Sequence, residues 1–190
     1  MRRIRLSRGF KQFAGGIIIG GILMGIVALF SVHMVEATSD AEFCGSCHEM
    51  DLFCETWEEG AHGSSHRGIV VAKCTDCHLP HEGIVKYLVL KGKTGAHDVI
   101  AHLMKKETDW LANLEHREEY TYESGCRKCH VELEVPGISL KGFKAHRDYT
   151  LGETKETCIS CHYETGHKNL EERLQERNNI ATKKEKSDVT

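Results

Sequence analysis

The sequence predicts a mainly α-helical protein with much irregular structure, in which one N-terminal transmembrane helix precedes a larger domain outside the membrane. Three observations predict this fold class. A stretch near the start is long and uncharged enough to cross a bilayer. Only 40% of the residues are hydrophobic and this stretch holds many of them, so the remainder is too poor in large apolar side chains for an ordinary core. Nine cysteines and thirteen histidines indicate that bound groups take the place of that core.

The membrane helix is predicted over residues 14–35, a run of 22 residues without a formal charge. A helix of about 20 residues crosses the hydrocarbon layer. The first twelve residues contain no acid and five cations, namely Arg2, Arg3, Arg5, Arg8 and Lys11. Because positive charge stays on the cytoplasmic side, we expect a single-pass protein of the cytoplasmic (inner) membrane with its bulk in the periplasm. A cleaved signal peptide is the alternative, but its apolar core is only about 7–15 residues long.

Polarity divides the chain into four predicted segments. Residues 1–13 form a basic cytoplasmic N-terminus, 14–35 the anchor, 36–168 the periplasmic domain, and 169–190 a charged helix followed by a disordered tail. The formal net charge of −3 argues against a nucleic-acid partner, because such proteins carry a strongly basic surface. Glycines four apart in the anchor, Gly16 with Gly20 and Gly21 with Gly25, leave a homo-oligomer open.

Eight cysteines fall into four copies of Cys-x-x-Cys-His, a motif highly specific for c-type haem attachment. The copies are Cys44-Gly-Ser-Cys47-His48, Cys74-Thr-Asp-Cys77-His78, Cys126-Arg-Lys-Cys129-His130 and Cys158-Ile-Ser-Cys161-His162. Two thiols at this spacing reach the two vinyl groups of one porphyrin as thioethers, and the adjacent histidine can ligate the iron. Zinc sites and disulfides both leave the four histidines unexplained. The sequence therefore predicts four covalently bound c-type haems and a multihaem cytochrome c domain organised by them.

Each haem iron needs a second axial ligand, usually histidine or methionine. Outside the membrane segment and the motifs, the candidates are His62, His66, His81, His97, His102, His116, His146, His167, Met50 and Met104. Their spacing alone does not allocate them. Cys54 is the ninth cysteine, and we expect it to be an inert buried thiol.

An ordered series of motifs carries a family resemblance. The anchor is followed by Cys-x-x-Cys-His-x-Met, then by Cys-x-Asp-Cys-His-x-Pro-His, and finally by Cys-x-x-Cys-His-x4-His. Over residues 14–168 the chain resembles the NapC/NirT/NrfH family of membrane-anchored tetrahaem quinol dehydrogenases. The order of these motifs is far more specific than any one of them.

The resemblance implies a ligand set. Met50 matches a methionine that ligates haem 1 in one branch of the family, with His48 displaced from the iron; ligation by His48 itself is the alternative. The implied pairs for the other haems are His78 with His167 for haem 2, His62 with His130 for haem 3, and His162 with His146 for haem 4. Three alternatives remain: His66 in place of His62, and a partner protein or His81 in place of His146.

The resemblance also implies a quinol site beside haem 1. The stretch Lys91-Gly-Lys-Thr-Gly-Ala-His97-Asp98 resembles the Lys-x6-Asp element of the family, although His97 replaces an arginine often found there. By this match Lys91 contacts the quinol, and Asp98 covers the open side of the iron and is a candidate proton acceptor. Without the family, Lys91 is an ordinary surface cation near lipid headgroups and Asp98 a helix-start residue.

The expected function is oxidation of membrane quinol, menaquinol or ubiquinol, with electrons passed to a periplasmic terminal reductase in anaerobic respiration. The expected reductase contains several haems or molybdenum, as in nitrite or nitrate reduction. An electron relay fed by another membrane complex, with no quinol site of its own, is the alternative. The two differ in whether substitution of Lys91 or Asp98 affects reduction by quinol.

Overall fold

The protein is described by a computed structural model covering residues 8–63, 71–105 and 108–188, with side chains through residue 183. The chain is 69% helical, and no strand occurs within those ranges, which confirms the mainly α-helical fold class. The cations Arg2, Arg3 and Arg5 and the candidate ligand His66 lie outside the described residues.

The first helix, α1, spans Arg8–Ala37 and is long and apolar enough to cross a membrane. Its 30 residues include none that is buried. Large apolar side chains such as Leu29 (74% exposed) and Phe13 (69% exposed) face outward all round the helix. A helix of this kind is stable where lipid surrounds it, because every backbone polar group is paired within the helix. It extends beyond residues 14–35 at both ends.

Ten further helices follow in the described residues, most of them short. They are α2 (Ala41–Cys44), α3 (Asp51–Glu59), α4 (Cys74–His78), α5 (Ile84–Leu103), α6 (Trp110–Leu114), α7 (Arg117–Tyr120), α8 (Glu123–Cys129), α9 (Leu140–Thr150), α10 (Cys158–Cys161) and α11 (Leu170–Asp188). A 3₁₀ helix, His48–Met50, precedes α3.

Three of the four attachment motifs coincide with one turn of helix. The second and fourth motifs form α4 and α10, and the third ends α8. Residues three apart lie on the same face of a helix, so both cysteines of each motif point the same way. The first motif differs, because Cys44 ends α2 and Cys47 lies beyond a turn, at the start of the 3₁₀ helix.

The hydrophobic core is very small. Among the described residues only Leu52, Leu79 and Leu174 are buried large apolar side chains. Leu174 belongs to α11, which packs on α3 and α6. Next to this contact, the rings of Phe53 and Trp110 meet edge to face with centroids 5.0 Å apart. A chain with so few buried apolar residues needs other material at its centre.

The C-terminal segment differs in extent from the sequence expectation. The charged C-terminal region is helical as far as Asp188, where the sequence indicated a short helix followed by a disordered tail. Leu174, 1% exposed, and the ion pair of Arg173 with Glu55 (2.7 Å) hold the start of α11 against α3. The apolar stretch at residues 84–90 forms the first two turns of the 20-residue helix α5.

Candidate functional site

One continuous cavity of about 3150 Å³ occupies the centre of the part of the chain that follows α1. A pocket for a single small ligand measures about 300–1,000 Å³, so this space suits several large ligands. Its walls include all eight motif cysteines, namely Cys44, Cys47, Cys74, Cys77, Cys126, Cys129, Cys158 and Cys161. The cavity and its thiol-bearing lining therefore fit four haems, which would supply the apolar centre that the side chains do not.

Consecutive motifs adjoin one another in space. The side chains of Cys44 and Cys74 lie close enough to interact, which joins the first motif to the second. Cys126 and Cys158 make the corresponding contact between the third and the fourth. Helices α4 and α8 pack together and thereby join the second motif to the third. The motifs thus form a row in the order of the sequence.

Gly125 permits the contact between α4 and α8. A Cβ atom at this position would lie 1.8 Å from the carbonyl oxygen of Asp76, far inside any allowed contact. The Tyr122 amide donates to the Cys77 carbonyl at 2.8 Å, and Lys128 pairs with Asp76 at 3.0 Å. Only glycine allows these two backbones to approach so closely.

Glu123 links the third motif to the fourth. Its carboxylate accepts a hydrogen bond from the Cys158 amide at 2.7 Å, at the first turn of α10, and another from the Tyr149 hydroxyl at 3.3 Å. A carboxylate at this position satisfies a helix N–H group that has no partner within the helix. Sequence reasoning missed this residue, because nothing local connects it to a helix 35 residues further on.

Three histidine pairs face each other with similar spacing. The ring centroids lie 6.0 Å apart for His62 and His130, 6.2 Å for His78 and His167, and 6.0 Å for His146 and His162. Two metal–nitrogen bonds of about 2.0 Å each, on opposite sides of one iron, place imidazole centroids about 6 Å apart. These pairs are the ones that the family resemblance implies for haems 3, 2 and 4.

Each pair contains at least one ring whose Nδ1 is held by a backbone carbonyl. His78 donates to Tyr120 at 2.6 Å, His146 to Leu133 at 2.7 Å and His167 to Phe53 at 3.0 Å. A hydrogen bond at Nδ1 fixes the orientation of the ring and leaves Nε2 as the metal ligand. His62 has a longer contact, 3.4 Å, to the carbonyl of Thr165.

Burial favours the neutral form of two of these rings. It lowers the pKa of His167 to about 4, and repulsion by protonated His78 acts in the same direction. Burial also lowers the pKa of His78, against a hydrogen bond to Tyr120 that raises it. Only the neutral imidazole has a free lone pair for a metal, so these surroundings suit ligands.

The first motif has a different environment. Met50 ends the 3₁₀ helix and lines the cavity. The His48 ring lies 6.3 Å, centroid to centroid, from the ring of His102 on α5, a residue that the sequence left unallocated. His81, the alternative ligand for haem 4, instead directs Nε2 to the Thr75 carbonyl at 3.2 Å.

Lys91 and Asp98 lie on one face of α5, because seven residues are close to two full turns. The Lys91 ammonium donates to the Thr38 carbonyl at 2.8 Å and to the Ser39 hydroxyl at 2.9 Å, just beyond the end of α1. The Asp98 side chain is 77% exposed and lies 3.2 Å from Nδ1 of His97.

The charges of Lys91 and Asp98 also change the pKa of Cys44 in the first motif. A hydrogen bond from Cys74 lowers the pKa of Cys44 to about 7, and burial opposes it. Lys91 lowers this pKa further, whereas Asp98 raises it. The fold therefore brings the Lys-x6-Asp element next to the first attachment site. Cys54, half-buried, directs its sulfur to the Ala41 carbonyl at 3.6 Å, and burial raises its pKa.

Comparison with known proteins identifies the family. The family model described as the NapC/NirT cytochrome c family, N-terminal region, matches residues 8–172. The chain belongs to the NapC/NirT cytochrome c family. Members of this family are membrane-anchored tetrahaem cytochromes that act in quinol-linked electron transfer to reductases.

The NapC/NirT relatives include proteins of two lengths. The chain is 30% identical over 168 residues to the tetrahaem c-type cytochrome CymA of Shewanella oneidensis, covering 80% of this chain and 88% of CymA. It is 31% identical over 160 residues to the cytochrome c-type protein TorY of Escherichia coli O157:H7. That match covers 78% of this chain but only 41% of TorY, so the chain spans less than half of that relative.

A solved structure has the same fold. The chain matches a crystal structure of the cytochrome c nitrite reductase NrfHA complex bound to the HQNO inhibitor, with a TM-score of 0.53 and 28% identity. The match covers 80% of this chain and 90% of the chain in that structure. Haem as the cofactor and an N-terminal membrane helix are thus supported by the family as well as by the motifs.

Proposed function

We propose that this protein is a membrane-anchored quinol dehydrogenase that holds four covalent haems and delivers electrons to a periplasmic terminal reductase. The observation that carries the proposal is the position of Lys91. Its ammonium is bound just beyond the end of the membrane helix and lies near enough to Cys44 of the first motif to lower the pKa of that thiol. A quinol dissolved in the bilayer and a haem on the first motif would meet there.

The cofactor assignment is part of the proposal. The eight motif cysteines would hold the four haems as thioethers, and the three facing histidine pairs described above would ligate three of the irons. Bound c-type haems supply one-electron acceptors and donors. What the chain itself contributes is their attachment, their order, and the binding and deprotonation of the quinol.

Lys91 suits the binding of a quinol oxygen. An ammonium has three donors, and the contacts with Thr38 and Ser39 use two of them. These two bonds fix the nitrogen at the membrane surface, so its third donor is available to a ligand at that level. The first two turns of α5 present Ile84 (69% exposed), Val85 (73%) and Val89 (65%), apolar side chains suited to the same interface.

Asp98 suits the removal of the protons. Quinol oxidation releases two protons with its two electrons, so the site needs a base within reach of the bound ring. The Asp98 carboxylate lies on the same face of α5 as Lys91, two turns away, and is open to solvent. His97, 3.2 Å from Asp98, is 69% exposed and gives the proton a further acceptor on the way to bulk water.

The fourth motif is the proposed exit. It ends the row of motifs that begins at the membrane. Tyr163, directly after the histidine of this motif, is 57% exposed, so apolar surface is available there for a partner. The NrfHA complex supports a multihaem reductase as the class of that partner. The basic residues before the anchor favour a periplasmic location for this end.

The test is reduction by quinol of the purified full-length protein in liposomes, followed by haem absorbance. Loss of a charge-assisted hydrogen bond costs about 1.5–3 kcal/mol, which corresponds to roughly 10- to 150-fold in rate. We expect Lys91→Ala to slow reduction by menaquinol or ubiquinol by about this factor, and Asp98→Asn to slow it too.

The matched control is Lys86→Ala, which removes a lysine from the same helix. Lys86 pairs with Glu82 at 3.1 Å on the surface, so its loss should leave the quinol rate unchanged. Reduction by dithionite should be equal in all variants. Quinol reduction at the wild-type rate in both Lys91→Ala and Asp98→Asn would overturn the proposal and favour a relay fed by another membrane complex.

A further inference from the structure

Helix α5 presents an apolar stripe along almost its whole length. The members of this stripe follow one another at intervals of three or four residues, which places them on one face of the helix: Val85, Val89, Gly92, Ala96, Ile100 and Leu103. None of them carries a charge, and the four large side chains are between 55% and 74% exposed. A helix of 20 residues is about 30 Å long, so the stripe is a long apolar surface of the kind that marks a binding face.

The proposed haems do not cover this stripe. Lys91 and Asp98, on another side of α5, line the large central cavity, whereas Val85, Val89 and Ile100 are not among its walls. The parts of the chain that the structure describes therefore leave the stripe open to an outside partner.

Helix α5 lies level with the end of the membrane helix. Met34 and Val35, near the end of α1, line the same cavity as Lys91. The Lys91 ammonium is bound to Thr38 and Ser39, just beyond α1. Lys91 is near the middle of α5, so the stripe extends to both sides of this attachment. A helix attached in this way can lie along the membrane surface.

The charges of α5 suit a surface of lipid phosphates. Residues 84–97 include three lysines and no acid. By helical position Lys86 and Lys93 border the stripe. Lysine side chains at such a border keep the ammonium among the headgroups while their methylene groups contact apolar surface. An apolar face bordered by lysines is typical of helices that lie in the membrane interface, and anionic lipids attract such lysines.

We propose that α5 is a second membrane-binding element, which lies in the lipid interface with the stripe toward the acyl chains and Lys86 and Lys93 among the phosphates. A single membrane helix leaves the domain beyond it free to turn about the end of that helix. A second contact, through α5, fixes which side of the domain faces the lipid, namely the side with the first motif. This inference rests on the membrane anchor and not on quinol oxidation.

The test is labelling of the full-length holoprotein from within the bilayer. Liposomes of phosphatidylethanolamine and phosphatidylglycerol carry the protein and an apolar reagent that forms a carbene on illumination, and peptide mass spectrometry locates the labelled residues. We expect label on α1 and on the four large side chains of the stripe. Three exposed apolar residues elsewhere are internal controls and should carry several-fold less label: Val131 (63% exposed), Leu140 (85%) and Ile180 (67%).

A charge placed in the stripe should lift α5 out of the lipid. Ile100→Glu should reduce the labelling of α5 several-fold and leave that of α1 unchanged, because a carboxylate is costly to bury among acyl chains. Ile180→Glu, on the exposed surface of α11, is the matched control and should change neither. Both side chains are exposed, so both variants should fold and retain the haem content of the wild type.

Three results would overturn the inference. The first is label confined to α1, and the second is equal label on α5 and on the three control residues. The third is an unlabelled α5 that cross-links to α5 of a second copy, because the stripe would then be an interface between two copies of this chain. None of these readouts requires quinol, so a failed quinol test leaves them intact.

Discussion

The substitution Gly125→Ala tests whether the second and third motifs need the close contact between α4 and α8. The added Cβ atom would lie 1.8 Å from the Asp76 carbonyl oxygen. An ordinary carbon–oxygen contact is about 3.3 Å, so α4 and α8 have to separate by about 1.5 Å. That movement also breaks the 2.8 Å hydrogen bond between the Tyr122 amide and the Cys77 carbonyl.

The expected cost follows from these two effects. Overpacking costs about 1–3 kcal/mol, and the lost hydrogen bond costs about 1 kcal/mol. The higher helix propensity of alanine stabilises α8 by about 1 kcal/mol relative to glycine and offsets part of this cost. Gly125→Ala should therefore destabilise the holoprotein by about 1–3 kcal/mol, which lowers Tm by roughly 2–12 °C.

The assay is thermal unfolding in detergent, followed by far-UV circular dichroism at equal haem content. The control is Gly92→Ala in α5, where an added Cβ meets nothing within 4 Å and helix propensity should raise stability slightly. If Gly125→Ala melts at or above the temperature of Gly92→Ala, the reasoning about the α4–α8 contact is refuted.

Two further predictions concern α11 and pH. Leu174→Ala should destabilise the fold by about 2–5 kcal/mol, because Leu174 is 1% exposed in a very small core; a loss below 1 kcal/mol in chemical unfolding would contradict this. Stability should also fall as pH drops below about 6.5, because burial and the proposed iron ligation both keep His167 unprotonated in the folded protein, whereas the unfolded chain binds the extra proton. Equal unfolding free energies at pH 7 and pH 5 would contradict the second prediction.

The local parts of the site were accessible from sequence because each depends on short spacing. Cys-x-x-Cys-His forms a single helical turn in α4 and α10, so the motif specifies its own geometry. The membrane helix is recognisable for the same reason, since length and lack of charge are enough. The family match over residues 8–172 confirms the resemblance read from the motif order.

The long-range parts were not accessible. His102 is 54 residues from His48 and has no motif around it, and only the return of α5 onto the first motif brings the two rings together. Gly125 reads as an ordinary helical glycine until the carbonyl of Asp76 is seen against it. The C-terminal helix is strongly polar, so its sequence resembles a disordered tail. Buried Leu174 and the ion pairs of Arg173 with Glu55 and Glu59 hold the start of this helix in place.

Counting the covalent haems tests the central claim most directly. The bare polypeptide has a mass of 21.4 kDa. Intact mass spectrometry of the purified red protein should show the polypeptide plus four haems that survive denaturation and solvent extraction, and alkaline pyridine spectra should give four c-type haems per chain. A mass equal to that of the bare chain, or haem that solvent removes, would contradict the account.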